Sequence, residues 1–373
     1  MRGASAGTVE AALDAADPLP GTYGFAGELP DGRLVRDVLG RELCYVDPES
    51  GAWAHDPDGL PNAEPVPAGH VRELGTGATE RAWRLPDPPA DGERPVQRVR
   101  AALDRALAVD GEKPAVDGDG LAVDGDGLAV AFSGGVDSAV VASAVDAPLY
   151  VVGYGDCADV AAAEESAAAM GRGGDLRVVA LSLDDVEAAV PEVARAIGRT
   201  NAMDVQIALP LYLVADAIAA DGYDRVALGQ GADELFGGYA KVANAPGDHR
   251  VDADTVRGAR REVLRSLPDQ LERDLRAVRA AGVEPVTPLV HDDVVRAALS
   301  LPGDWLVSGG TRKRALREAA RDRLPDVVCE REKKAVQYGS LVAREVDRLA
   351  RRAGFKRRLD DHVTKYVESR LES

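Results

Sequence analysis

Short apolar runs and helical repeats alternate through the middle of the chain. Leu128-Ala129-Val130-Ala131-Phe132 is a continuous apolar run, the mark of a short strand buried on both faces. Leu149 to Gly153, Arg177 to Leu183 and Arg225 to Leu228 repeat that signature. Between them Val160 to Met170 is Ala-rich, and Val186 to Ile197 and Val205 to Ala220 carry helical apolar patterns. This rhythm predicts an α/β fold: a doubly wound parallel sheet with helices on both faces, and ligands at the carboxyl ends of its strands. Upstream, Val96, Val99, Leu103 and Leu107 give a helix over Val96 to Ala108. Ahead of it, residues 1–84 hold short apolar runs broken by Gly, Pro and Asp, which predicts a small β-rich domain. Residues 85–95, opening Leu85-Pro86-Asp87-Pro88-Pro89, form a Pro-rich linker. Arg344 to Leu371 reads as one or two helices, so the main domain is expected over 96–345 and a helical tail over 346–373.

The central run leads into Ser133-Gly134-Gly135-Val136-Asp137-Ser138 and then into a helix of small apolar residues. Strand, glycine turn and helix start together make an anion site, because glycines let the backbone approach closely and the first-turn N–H groups point outward. Ser133 and Ser138 add hydroxyl donors, and Asp137 is placed to hold Mg2+ against phosphates. The loop is no Walker A motif, since Gly-x-x-x-x-Gly-Lys-[Ser/Thr] does not occur in the chain. A second strand, glycine turn and acidic helix start follows at Arg225 to Tyr239, with Gly229, Gly231 and Asp233; simple helix capping also explains Asp233.

Three other patterns carry less. Gly153-x-Gly155-x-x-Ala158 has a dinucleotide-binding look but is a lone match. The direct repeat Val116-Asp-Gly-Asp-Gly-Leu-Ala, copied from Val123, lacks calcium-loop spacing and reads as an acidic insertion. Gly3-Ala4-Ser5-Ala6-Gly7 matches a nucleophile elbow, but no strand precedes it and a frayed terminus is expected there.

Charge narrows the class of partner. Net charge is −18, from 63 acidic and 45 basic residues, of which seven are lysines. That balance argues against general nucleic-acid or anionic-membrane surfaces, and the Lys-poor, Asp-rich composition suggests a salt-rich cell. A local cluster, Arg351, Arg352, Lys356, Arg357 and Arg358, reads as a solvated helix face or an RNA or partner contact. Cys44, Cys157 and Cys329 lie far apart, without a disulfide or zinc pattern. With no signal pattern and no apolar run of membrane-spanning length expected, the protein reads as cytoplasmic.

Ser-Gly-Gly-Val-Asp-Ser resembles the pyrophosphate loop of the ATP pyrophosphatases, whose fold is the adenine nucleotide α-hydrolase type. Gly229-Gln230-Gly231-Ala232-Asp233-Glu234-Leu235-Phe236-Gly237-Gly238-Tyr239, about ninety residues on, is similar to the asparagine synthetase signature. Leu209 to Leu213, Gly282 to Leu289, Lys313-x-x-Leu316-Arg317 and Arg331-Glu332-Lys333 also resemble that family, and the likeness covers about residues 96–345. Gly21 to Gly27 with Arg36 to Tyr45 looks like the later part of a class II glutaminase domain. Such glutaminases use an N-terminal cysteine, whereas this chain opens Met1-Arg2-Gly3, so no glutaminase activity is expected.

The resemblance implies a ligase that adenylates a carboxylate with ATP, releases pyrophosphate, and amidates the product with ammonia, free or from a separate glutaminase subunit; aspartate is the default substrate. It implies that Ser133, Gly134, Gly135 and Ser138 hold pyrophosphate and that Val152, Gly153, Leu228 and Gly229 contact the nucleotide. Asp137 and Asp233 would hold Mg2+, and Lys333, with Lys334 as fallback, would stabilise adenylate charge. Gln230 replaces the family's glutamate at a position that tracks the reaction, and a neutral amide cannot act as a general base. Met203-Asp204-Val205-Gln206 stands where aspartate-using members have Thr-Thr-x-Arg, and Val286 and His291 replace an Arg and an Asp. The nucleotide machinery therefore reads as intact and the acceptor recognition as altered. A tRNA-modifying pyrophosphatase and a non-catalytic regulatory paralogue remain open, and the sequence leaves the oligomeric state open, a homodimer among the options.

Overall fold

The computed structural model describes residues 1–108, 127–155, 157–245, 253, 255–332, 336–357 and 361–372. Most of the direct repeat beginning at Val116 lies outside these residues. The chain folds as two units that interleave along the sequence. One takes Met1–Ala122, Gln230–Glu272 and Thr287–Ala319; the other takes Val123–Gly229, Arg273–Val286 and Ala320–Ser373.

The first unit contains the front segment. Its strands are Ala26–Glu28 (β1), Arg33–Arg36 (β2), Tyr45–Val46 (β3), Trp53–Ala54 (β4), Glu64–Pro65 (β5), His70–Glu73 (β6) and Thr79–Arg81 (β7). They form two antiparallel sheets, ordered β1-β2-β6-β7 and β4-β3-β5, packed around Ala26, Leu34, Cys44, Val46 and Val66. The expected frayed start is instead tied down. Arg2 N–H donates to the Ala26 carbonyl at 2.8 Å, Ala4 is buried, and Ser5 caps the helix Ala6–Asp14 by accepting from Thr8 N–H at 3.1 Å. The elbow-like serine is therefore a helix cap.

The second unit is the predicted α/β layer. Leu128–Ala131 (β8), Leu149–Gly153 (β9), Leu176–Ala180 (β10), Arg225–Ala227 (β11) and Glu284–Val286 (β12) pair in parallel in the order β10-β9-β8-β11-β12. The chain runs outward from β8 through β9 to β10, then returns to β11 on the other side of β8. The space beyond the ends of β8 and β11 is thus the topological switch point, where such sheets bind ligands. Ser182 and Asp185 form a capping box on the helix Leu183–Ile197, and Gly198, at φ +65°, closes it.

The following helix, Ala202–Ala220, corrects the expectation that no apolar run reaches membrane-spanning length. Its nineteen residues have a mean hydropathy of 1.5, enough by length and composition alone to cross a membrane. Half of it is buried within the fold, and Val205, Leu209, Leu213 and Ile218 belong to the core that also contains Val186, Val190 and Ile197. An interior helix packed on both a sheet and other helices becomes apolar nearly all round.

Candidate functional site

At the end of β8 the backbone turns through Gly134 at φ +72°. A Cβ there would overlap the Ala162 carbonyl and lie 2.6 Å from Ala163 N, so only glycine lets the loop rest on the helix Ala158–Ala169. Ser166 Oγ completes that attachment by donating to the Gly134 carbonyl at 2.8 Å. Inside the turn, Ser133 N–H donates to Ser138 Oγ at 3.2 Å, the two hydroxyls lie 3.3 Å apart, and Ser138 Oγ donates to the Gly135 carbonyl at 3.2 Å. Ser138 is buried and Ser133 half-buried, so the hydroxyl pair braces the loop from within. Asp137 is in the first turn of the helix Val136–Ala142.

The neighbouring strand ends close on the same place. Leu228 is buried and its N–H donates to the Val286 carbonyl at 2.9 Å. A Cβ on Gly229 would stand 2.9 Å from Asp137 Cβ and 3.0 Å from Ser138 N, so β11 ends directly against the loop helix. On the other flank, Val152 and Gly153 end β9, and the Gly153 carbonyl accepts from Leu181 N–H at 3.0 Å. A Cβ on Gly153 would lie 3.1 Å from Val160 Cγ2, which keeps that strand end narrow. Ser133, Gly134, Gly135, Asp137, Ser138, Leu228 and Gly229 thus form one cluster, with Val152 and Gly153 on the next strand.

Gln230 and Asp233 belong to the other unit. Gly231 at φ +86° and Gly237 at φ +77° bracket the short helix Ala232–Phe236, which carries Asp233 half-exposed. Lys313 reaches it: Nζ lies 2.7 Å from Asp233 Oδ1, with Lys313 itself buried and at φ +56°. The missing side chain of Gly238 makes room, since a Cβ there would collide with both groups. Sequence reading singled out Lys313 only as part of a likeness; its pairing across eighty residues has no local signature. Lys333 and Lys334 lie outside the described residues.

The positions that depart from the family pattern have defined surroundings. Val286 is buried in β12. His291 is buried, and its Nδ1 accepts from Asp293 N–H at 3.2 Å, which requires a neutral ring; burial pushes its pKa down, against the pull of Asp292 and Asp293. Asp204 is bound by Arg273 at 3.0 Å and Arg199 at 3.2 Å, while Gln206 is half-buried one turn along the helix Ala202–Ala220. Among the described residues no three His, Cys, Asp or Glu side chains converge, so a divalent cation here would rely on one or two carboxylates and on the oxygens of a ligand.

The front segment is joined to the rest of its unit by a buried charge network. Arg41 binds Asp37 at 2.8 Å and Asp292 at 2.6 Å, and all three are almost fully inaccessible. Asp292 also accepts from the backbone N–H groups of Gly21 at 2.9 Å and Thr22 at 2.7 Å. The two carboxylates stabilise the guanidinium charge and outweigh its desolvation, so the Arg41 pKa rises.

A five-stranded parallel sheet with a glycine loop at its switch point defines an α/β protein built to hold a ligand at its strand ends. The asparagine synthase family model matches residues 123–257 and 243–369. The chain belongs to the asparagine synthase family. It is 30% identical over 271 residues to a Methanocaldococcus jannaschii protein named as a glutamine-hydrolyzing asparagine synthetase, covering 62% of this chain and 49% of that one. Asparagine synthetase B of Escherichia coli is 29% identical over 153 residues, 40% of this chain and 27% of its own length. Asparagine synthetase 1 of Arabidopsis thaliana aligns over 88% of this chain and 60% of its own at 24% identity. The chain therefore spans between about a quarter and three fifths of these relatives.

Proposed function

We propose that this protein is an ATP-dependent ligase that adenylates a small carboxylate and transfers it to ammonia, with L-aspartate the default acceptor. The observation that carries this reading is the Ser133–Ser138 turn, fixed by Gly134 and braced by two serine hydroxyls at the switch point. In it, the Ser133–Ser138 segment receives the pyrophosphate end of ATP, Gly134 and Gly135 letting the backbone approach and the Ser133 and Ser138 hydroxyls exchanging the hydrogen bonds they make within the loop for phosphate oxygens, while Val152, Gly153, Leu228 and Gly229 flank the nucleotide. Asp137, half-buried in the first helical turn, suits Mg2+; Asp233 suits it less well, because the Lys313 ammonium already sits on one of its oxygens. Bound Mg2+ would neutralise charge on the departing pyrophosphate.

The substrate carboxylate attacks the α-phosphorus, pyrophosphate departs, and ammonia attacks the acyl carbon to expel AMP. Lys333, or Lys334 beside it, stabilises the charge that builds on the carbonyl and phosphate oxygens. Gln230 orients an acceptor or leaving group through hydrogen bonds and does not take its proton. Cys44, Cys157 and Cys329 are all buried, and burial pushes the Cys44 thiol up to about 11, which suits none of them to glutamine hydrolysis. Residues 1–84 then serve as a glutaminase-like segment that packs, and nitrogen arrives as ammonia, free or from a partner glutaminase.

The direct test is pyrophosphate release from ATP and Mg2+ in high salt with ammonia, with aspartate added or withheld. Aspartate-dependent release together with AMP and asparagine is the expected result. Nucleotide binding without release across aspartate, other carboxylates and tRNA would replace the ligase by a regulatory paralogue.

A further inference from the structure

The unit that contains the front segment encloses a cavity of ≈ 650 Å³, within the range of small-molecule sites. It lies between the front strands and the helices Val256–Arg265 and Leu267–Ala280. Six guanidinium groups line it, from Arg36, Arg81, Arg84, Arg260, Arg261 and Arg265. Three carboxylates face them: Asp87, which pairs with Arg261, and Asp269 and Glu272. A chain of net charge −18 thus concentrates a surplus of positive charge in one hollow.

Two of these arginines are buried with little compensation. Arg36 donates to the carbonyls of Glu42 at 2.8 Å and of Val66 and Gly40 at 3.0 Å, and Glu272 lies 3.8 Å away. Arg260 is only 2% exposed. It donates to the carbonyls of Ala298, Leu299 and Leu235, and among the described residues it forms no ion pair and its buried Nε has no acceptor. Burial and the nearby Arg257 push its pKa down to about 10, with Asp87 opposing. Carbonyls satisfy N–H groups but carry no net charge, so a buried guanidinium held by them alone still favours an anion beside it. At the rim, Arg81, Arg84 and Arg265 are exposed and form no ion pair among the described residues. Val38, Leu39 and Leu264 supply apolar wall.

We infer that this cavity binds a small organic polyanion, a short carbon frame carrying two or more carboxylate or phosphate groups. The forked guanidinium matches both oxyanions, and the apolar wall takes the frame. All its lining comes from the unit that lacks the Ser133 loop, so it is a second ligand site. An occupant would join the front strands to two helices and thereby stabilise that unit.

Calorimetric titration of the full chain without ATP, at the lowest salt that keeps it folded, tests this with citrate, fructose 1,6-bisphosphate and neutral sorbitol. The expected result is one-to-one binding of citrate, the bisphosphate or both, none of sorbitol, and a matching rise in Tm. Arg84→Ser combined with Arg265→Ser, both exposed and outside the fold's bonding, should weaken binding by about tenfold or more, while Asp137→Ala leaves it intact. Citrate alone would mark a polycarboxylate site, and the bisphosphate alone a phosphate-ester site. Absence of binding by both at about 10 mM, or binding that survives the rim variants, overturns the inference. So does binding that ATP displaces and Asp137→Ala abolishes.

Discussion

Gly134 and Ser138 differ from the other residues of their loop because each has neighbours that fix it. Gly134→Ala forces a Cβ into the Ala162 carbonyl at a backbone conformation that alanine resists, so a stability loss of about 2–3 kcal/mol is expected, with nucleotide affinity falling alongside. Urea titration and nucleotide binding on the same preparation check this; a stable variant with normal binding would show that the loop can move off its supporting helix. Asp137→Asn has the opposite profile: little change in stability and at least about a hundredfold loss of pyrophosphate release. Lys313→Met tests the pairing with Asp233. Removing the ammonium leaves a half-exposed carboxylate, so folding should change by no more than about 1 kcal/mol, and a larger effect on turnover than on stability would place Lys313 in the chemistry.

At the scale of elements, the parallel strands were readable because a strand buried on both faces must be apolar throughout, as Leu128 to Val130 and Leu149 to Gly153 are. The loop was readable because adjacent glycines between an apolar run and a helix start mark a tight turn, and the structure gives Gly134 the positive φ and close packing that require glycine. Elements whose meaning depends on distant partners were not. The helix Ala202–Ala220 was readable as a helix from Val205 onward, but its interior position was not, because Asp204, Pro210 and Asp216 punctuate the apolar pattern and its burial is apparent only once its neighbours surround it. The tail reads as helical, but its organising residue does not stand out. Asp347 accepts from Arg357 Nε at 2.9 Å, Arg351 Nε at 3.0 Å and His362 Nε2 at 2.8 Å, joining the helices Val342–Arg352 and His362–Leu371. Two members of the basic cluster, Arg351 and Arg357, are thus tied to Asp347 while their side chains stay half-exposed or more. The Arg357 hydrogen bonds hold the Asp347 carboxyl far below the usual range, against its desolvation and with help from His362. A depressed carboxyl contributes stability above its unfolded pKa, near 4, and that contribution is lost as pH falls through the folded value. The stability difference between the protein and Asp347→Asn should therefore be full at pH 6–7 and shrink steadily on acidification below about 4. A difference independent of pH would assign Asp347 a packing role only.

Across the whole molecule, the two units draw on separated stretches of one chain, and no local pattern announces that. The front segment shares its unit with residues 230–272 and 287–319, and Arg41 is the clearest link. Arg41→Met should cost about 3–5 kcal/mol, because Asp37 and Asp292 would remain charged and buried without their cation. Trp53, Trp83 and Trp305, the three tryptophans of the chain, all fall in that unit, so fluorescence reports it selectively. Its midpoint should drop in urea, and an unchanged midpoint would show that the network contributes nothing net.

The same salt bridge has a consequence in time. Arg41 and Asp292 are 251 positions apart, and ribosomes add about 5–20 residues per second, so the first half of the bond waits on the order of tens of seconds for the second. Throughout that interval the emerging front strands lack the carboxylate that completes them, and Arg41 stays in water. Nascent chains stalled before Asp292 should accordingly leave residues 1–84 open to protease, and chains stalled well beyond residue 319 should protect them. On that expectation the front sheets reach their completed form only after Asp292 has been made.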